Sequence, residues 1–156
     1  MRGRRGQALV EFALVLPVLV LLLLAVLDIG RVVFAYTSLT NAAREGVRLA
    51  IVNQDQDLIV ARAKTQVAIA EVDEPAVTVK FWRPPLNSDP KKNTACTMIA
   101  VDCIAQVRFE TTLYPITPVI GAFFFPHGVT LAAVSTLPVE YVCPKDGADA
   151  SSCPRH

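Results

Sequence analysis

The chain has 156 residues, a formal net charge of +1 and a hydrophobic fraction of 53%. That balance lacks the basic excess of a nucleic-acid binder, which excludes nucleic acid as a partner. The length suits one modest domain of about 100 to 150 residues beside the apolar segment in which much of the hydrophobic fraction is concentrated.

Residues 1–6, MRGRRG, form a short basic leader. Residues 8–27 then read ALVEFALVLPVLVLLLLAVL, with nothing charged after Glu11, and about 20 apolar residues cross a bilayer as a helix. Glu11 lies about one turn inside the run. A carboxylate costs about 2.5 kcal/mol or more at the bilayer centre and less near the surface, so it needs a partner or a route to the headgroups. Pro17 removes a backbone donor and either helps the segment leave the bilayer or is a bend without consequence. Arg2, Arg4 and Arg5 precede the run, and the stretch after it balances Asp28 with Arg31. This asymmetry predicts a single-pass protein of the cytoplasmic membrane, with its N-terminus in the cytoplasm and its C-terminal part outside. The run ends without a polar gap or a small-x-small site, so it is not an ordinary cleaved signal peptide.

The helix has little reason to stop at the membrane edge. Ile29, Val32, Val33, Tyr36, Leu39, Ala43, Val47 and Ala50 recur every three or four residues, which predicts an apolar stripe that needs covering. Over residues 7–50 such a helix would be about 66 Å long at about 1.5 Å per residue. Asp28 with Arg31, and Glu45 with Arg48, are i,i+3 pairs worth a few tenths of a kcal/mol each. Together with Arg44 they read either as a solvated face or as a contact with an adjacent subunit.

The sequences RGQALVEFALVLPVLVLLLLAVLDIGR and NAAREGVR resemble the TadE-like family, the minor pseudopilin-type proteins of tight-adherence (Flp) pilus systems. The features that carry the resemblance are Gly6 before the run, the Glu11–Phe12 pair, an acid before Gly-Arg, and the downstream AAREGVR. Asp28 stands where the family often has Glu, a mild departure. The resemblance implies cleavage by a prepilin peptidase after Gly6, which makes Gln7 the new N-terminus and places Glu11 fifth in the mature chain. It also implies other pilin or pseudopilin subunits, the peptidase and an inner-membrane assembly platform as partners, besides membrane lipid. Physics is compatible with this, because a carboxylate near hydrocarbon and a protonated α-amine on a neighbouring subunit relieve each other's desolvation.

Residues 57–72 are predicted as a second helix, capped by Asp55 or Asp57 and ended by Pro75. Val77, Val79 and Phe81 alternate with Thr78, Lys80 and Trp82 as a strand. Residues 83–97 form a polar, proline-rich loop, and residues 98–111 read as the longest strand, with Ile99, Val101, Cys103, Ala105, Val107 and Phe109 on one face. Prolines break residues 114–126, where Phe123, Phe124 and Phe125 are core, a membrane contact or a partner patch. Residues 129–141 are the third strand candidate. The expectation is an α+β, pilin-like fold in which a long N-terminal transmembrane helix extends into an exported domain with a second helix and a small antiparallel sheet. Its parts are the leader (1–6), the spine helix (7–50), the extracytoplasmic domain (51–143) and an irregular tail (144–156).

Cys96, Cys103, Cys143 and Cys153 all fall in the exported part, where an oxidising compartment allows disulfides. Of three connectivities, the two local bridges Cys96–Cys103 and Cys143–Cys153 are favoured over the other pairings, the alternative being four buried thiols. Neither pair has CxxC spacing, and no metal site is expected. His127 and His156 stand alone, Asp89 sits in turn chemistry, and no nucleophile, phosphate-binding or metalloprotease motif occurs, so neither an enzyme nor a cofactor is expected. The remaining alternative to a pilus subunit is a single-pass, envelope-anchored module that binds a ligand or protein and keeps its leader.

Overall fold

The computed structural model describes residues 3–68, 76–117, 121, 125–143 and 153. Its elements are α1 (Gly3–Ala50), α2 (Gln56–Thr65), β1 (Ala76–Trp82), β2 (Ile104–Leu113) and β3 (Val129–Pro138), with a 3-10 turn at Pro90–Lys92. The strands form a three-stranded antiparallel sheet in the order β1-β2-β3, with Val79 opposite Val107 and Phe81 opposite Ala105. A long apolar helix, a second helix and this sheet make the fold α+β and pilin-like.

The chain forms two compact units, residues 1–34 with 113–129, and residues 35–112 with 130–156. The second unit holds most of the core. On α1 it buries Ala35, Leu39, Ala42, Ala43, Val47 and Ala50, on α2 Ile59 and Ala63, and on β2 Ala105, Val107 and Phe109. Fully burying a side chain such as Leu39 or Phe109 contributes about 1.5–3 kcal/mol. The apolar stripe expected from the large side chains is only half realised. Leu39, Ala43, Val47 and Ala50 are covered, whereas Ile29, Val33 and Tyr36 are exposed. The buried face instead recruits Ala35, Ala42 and Gly46, small residues that let other elements approach α1 closely. At Gly46 an added Cβ would lie 2.9 Å from Ala63 Cβ and 3.2 Å from Val107 Cγ1.

Helix α2 begins where Asp55 caps it, its carboxylate accepting the N–H groups of Asp57 and Leu58. It ends at Thr65, earlier than the predicted 72. The Gln66 N–H donates to the Ala63 carbonyl and the Val67 N–H to that of Lys64, and the Ala68 N–H donates to Ser38 Oγ on α1 at 3.0 Å, so the chain is tied down instead of continuing the helix. Residues 69–75, including Pro75, lie outside the described residues.

Strand β1 follows its predicted alternation. Strand β2 starts at Ile104 instead of 98, because Cys96 and Cys103 are joined and the residues between them form a loop. Ile99 and Val101 therefore do not share the buried face of Ala105, Val107 and Phe109, and Val101 is exposed. Strand β3 stops at Pro138, short of the predicted 141, where the ring removes a ladder donor. Phe123, Phe124 and residues 144–152 lie outside the described residues.

Candidate functional site

Three constellations on α1 carry the residues singled out from the sequence. At the N-terminal end Gly6, Gln7, Glu11 and Phe12 are all exposed. Gln7 Nε2 donates to Glu11 Oε1 at 3.4 Å, a long bond between exposed groups, so the carboxylate is weakly held within its own chain. A side chain added at Gly6 would meet nothing within 4 Å, so packing gives no reason for glycine there. Leu9, Phe12, Leu14, Val15 and the following apolar residues are likewise exposed. Within Gly6–Ala50 lies a window apolar enough to cross a membrane, and none of that window is buried. The helix fits a single-pass membrane anchor.

Asp28, one position beyond the predicted span, is buried. Its Oδ1 accepts the Ile116 N–H at 3.0 Å and its Oδ2 the Thr117 N–H at 3.2 Å. One carboxylate thus holds two consecutive backbone amides of the segment after β2, a charge-assisted arrangement stronger than bonds between neutral groups. Nearby, α1 and this segment enclose an apolar cleft of about 380 Å³. Arg31, half-buried, lines the same cleft.

Farther along α1, Glu45 Oε1 accepts from Arg62 Nε at 3.1 Å and Nη2 at 2.8 Å, while Arg48 stands 3.9 Å away. This carboxylate is engaged by α2 of its own chain. Arg44 is exposed. The structure therefore does not gather Glu11, Asp28 and Glu45 into one site: each has its own surroundings along the helix.

The cysteines pair as Cys96–Cys103 and Cys143–Cys153. Beside the second bridge is a residue that no sequence pattern singles out. Gln54, buried, donates from Nε2 to the Tyr141 carbonyl at 2.7 Å and accepts at Oε1 from the Cys143 N–H at 2.8 Å. Ile116 and Thr117 were also missed, because their contribution is backbone N–H, which no side-chain pattern reveals. His127 is exposed, and among the described residues no group of three or more His, Cys, Asp and Glu side chains could hold a metal ion.

Residues 6–48, all within α1, match the family model described as TadE-like protein. Among curated proteins and solved structures nothing matches the chain.

Proposed function

Taking the TadE-like helix as the mark of a protein related to tight-adherence pili, whose family is structural, we propose that this chain is a membrane-anchored minor pilin or pseudopilin-like subunit. In this reading a prepilin peptidase cuts after Gly6. Gln7 becomes the N-terminus, and its protonated amine pairs with Glu11 of a neighbouring subunit as the helices pack side by side. The N-terminus faces the cytoplasm, residues 51–143 form the extracytoplasmic domain, and residues 144–156 are its tail. The partners are membrane lipid, other pilin or pseudopilin subunits, the peptidase and an inner-membrane assembly platform. Arg44 and Arg48, both exposed on the same helix, meet the next subunit.

The observation that carries the reading is Glu11 itself. It is an acid on an exposed, otherwise apolar stretch of helix, held among the described residues by a long 3.4 Å bond from Gln7, and a charge beside hydrocarbon is tolerable when paired. The open space at Gly6 supports a recognition role for that glycine, since packing does not require it.

N-terminal sequencing or intact mass of the protein from its own host tests the cleavage. A chain beginning at Gln7 supports the proposal, and a retained MRGRRG leader supports an anchored binding module instead. Gly6→Leu blocks maturation. Glu11→Ala leaves membrane insertion intact and lowers recovery in the pilus fraction, and unchanged recovery removes the pairing mechanism.

A further inference from the structure

The unit formed by residues 1–34 and 113–129 contains an apolar surface that the described residues leave exposed. Ala25, Ile29 and Val33 of α1 and Leu113, Pro115 and Phe125 of the returning segment line the cleft of about 380 Å³. Around it Tyr114 is 60% exposed, Ile116 62% and Phe125 45%, with Ile29 and Val33 as open as these. A contiguous exposed apolar surface marks a site of interaction. Asp28, the one acid among the described residues that line it, is buried and turned onto the amides of Ile116 and Thr117, so its charge is not presented at the opening.

Position along the helix identifies what covers this surface. The hydrocarbon layer of a bilayer is about 30 Å thick and the headgroup regions bring the total to about 40–45 Å. A span over residues 8–27 uses up the hydrocarbon layer. Residues 25–33 then rise about 12 Å at about 1.5 Å per residue, starting inside the hydrocarbon edge and passing through the headgroup layer. The cleft is thus continuous with the lipid-facing surface of α1. Tyrosine is enriched at that level, where its ring meets hydrocarbon and its hydroxyl meets water, and apolar side chains of interfacial segments bury about 5–10 Å into the same boundary.

We propose that the cleft and its rim of Tyr114, Ile116 and Phe125 are a lipid-binding surface, covered by phospholipid acyl chains at the interfacial layer of the bilayer. The chain is then attached to the membrane twice, by its spanning helix and by the segment that Asp28 holds against it. The proposal rests on α1 being a membrane anchor, and the test separates the two.

Full-length protein carrying Trp82→Phe is placed in phosphatidylcholine and phosphatidylglycerol vesicles with one tryptophan introduced at a time, by Tyr114→Trp, Phe125→Trp or Leu19→Trp. The vesicles contain lipid brominated either near the headgroup end or near the terminal methyl of the acyl chain, and far-UV circular dichroism checks that each variant keeps its fold. Tyr114→Trp and Phe125→Trp are expected to lose most of their emission to the shallow bromines and little to the deep ones, and Leu19→Trp the reverse. If Leu19→Trp is quenched while the other two are quenched by neither lipid, the lipid surface is overturned and the anchor stands. If none of the three is quenched, the anchor fails and the proposal with it. An emission shift at Tyr114→Trp that grows with protein density in the membrane identifies a second copy as the occupant and also overturns the proposal.

Discussion

Asp28 and Thr117 stand 89 positions apart, yet the Thr117 N–H donates to Asp28 Oδ2 at 3.2 Å while the preceding Ile116 N–H donates to the other oxygen. An acid at the end of an apolar run is costly, and amides at a strand's end need acceptors. This pairing satisfies both. It also fixes where the chain leaving β2 meets the first helix.

Asp28→Ala removes the acceptor for two amides. A buried polar group left unpaired costs about 1–3 kcal/mol, and a change of 1.4 kcal/mol is about tenfold in an equilibrium. Hydrogen exchange in lipid nanodiscs is therefore expected to accelerate about tenfold or more at Ile116 and Thr117, with Val107 and Phe109 unchanged. Asp28→Asn, which keeps one acceptor, falls between. Equal exchange at Thr117 in Asp28→Ala and the parent would show that the segment is held by something else.

Gly46 and Gly30 share a helix but differ in what surrounds them. At Gly46 a Cβ would press on Ala63 Cβ at 2.9 Å, and at Gly30 it would meet nothing within 4 Å. Alanine gains up to about 1 kcal/mol of helix propensity at either site, but overpacking costs about 1–3 kcal/mol. Thermal unfolding in detergent is expected to show a lower midpoint for Gly46→Ala and an equal or higher one for Gly30→Ala. A raised midpoint for Gly46→Ala would mean that α2 yields at no cost.

These residues also show what the sequence could and could not tell. The α+β class and the strand at Ala76–Trp82 were legible because hydrophobic period and length speak for themselves. The buried face of α1 was legible only in part. A pattern of large apolar residues pointed to Ile29, Val33 and Tyr36, whereas close packing selects Ala35, Ala42 and Gly46, whose value depends on what lies opposite. Asp28 stood out as an acid at a membrane edge, but its partners are two main-chain amides without a signature. The start of β2 was misplaced because alternation continues through Met98 to Val101, while the bridge between Cys96 and Cys103 draws those residues into a loop.

The ion pair of Glu45 with Arg62 joins α1 to α2, with side-chain exposures of 28% and 41%. Pairs open to water are screened and contribute about 0.2–1 kcal/mol. A double-mutant cycle with Glu45→Gln and Arg62→Met is expected to give a coupling in that range, shrinking as salt is raised. A coupling near zero at low salt would return Glu45 to the set of residues free to meet another subunit.

Gln54 holds the chain near the second disulfide by two main-chain bonds, to the Tyr141 carbonyl and from the Cys143 N–H. Replacing it by methionine keeps the size of the side chain and removes both bonds, leaving a carbonyl and an amide unpaired at about 1–3 kcal/mol for each that stays buried. Glutamate retains an acceptor for Cys143 but turns an oxygen toward the Tyr141 carbonyl, so it is expected to help little. Local opening exposes the nearby sulfurs to attack by thiolate. Reduction of Cys143–Cys153 by dithiothreitol, followed by alkylation and mass mapping, is expected to be faster in Gln54→Met, while Cys96–Cys103 keeps its parental rate. Acceleration of both bridges together would indicate general unfolding, and acceleration of neither would show that residues 141–143 are held without Gln54.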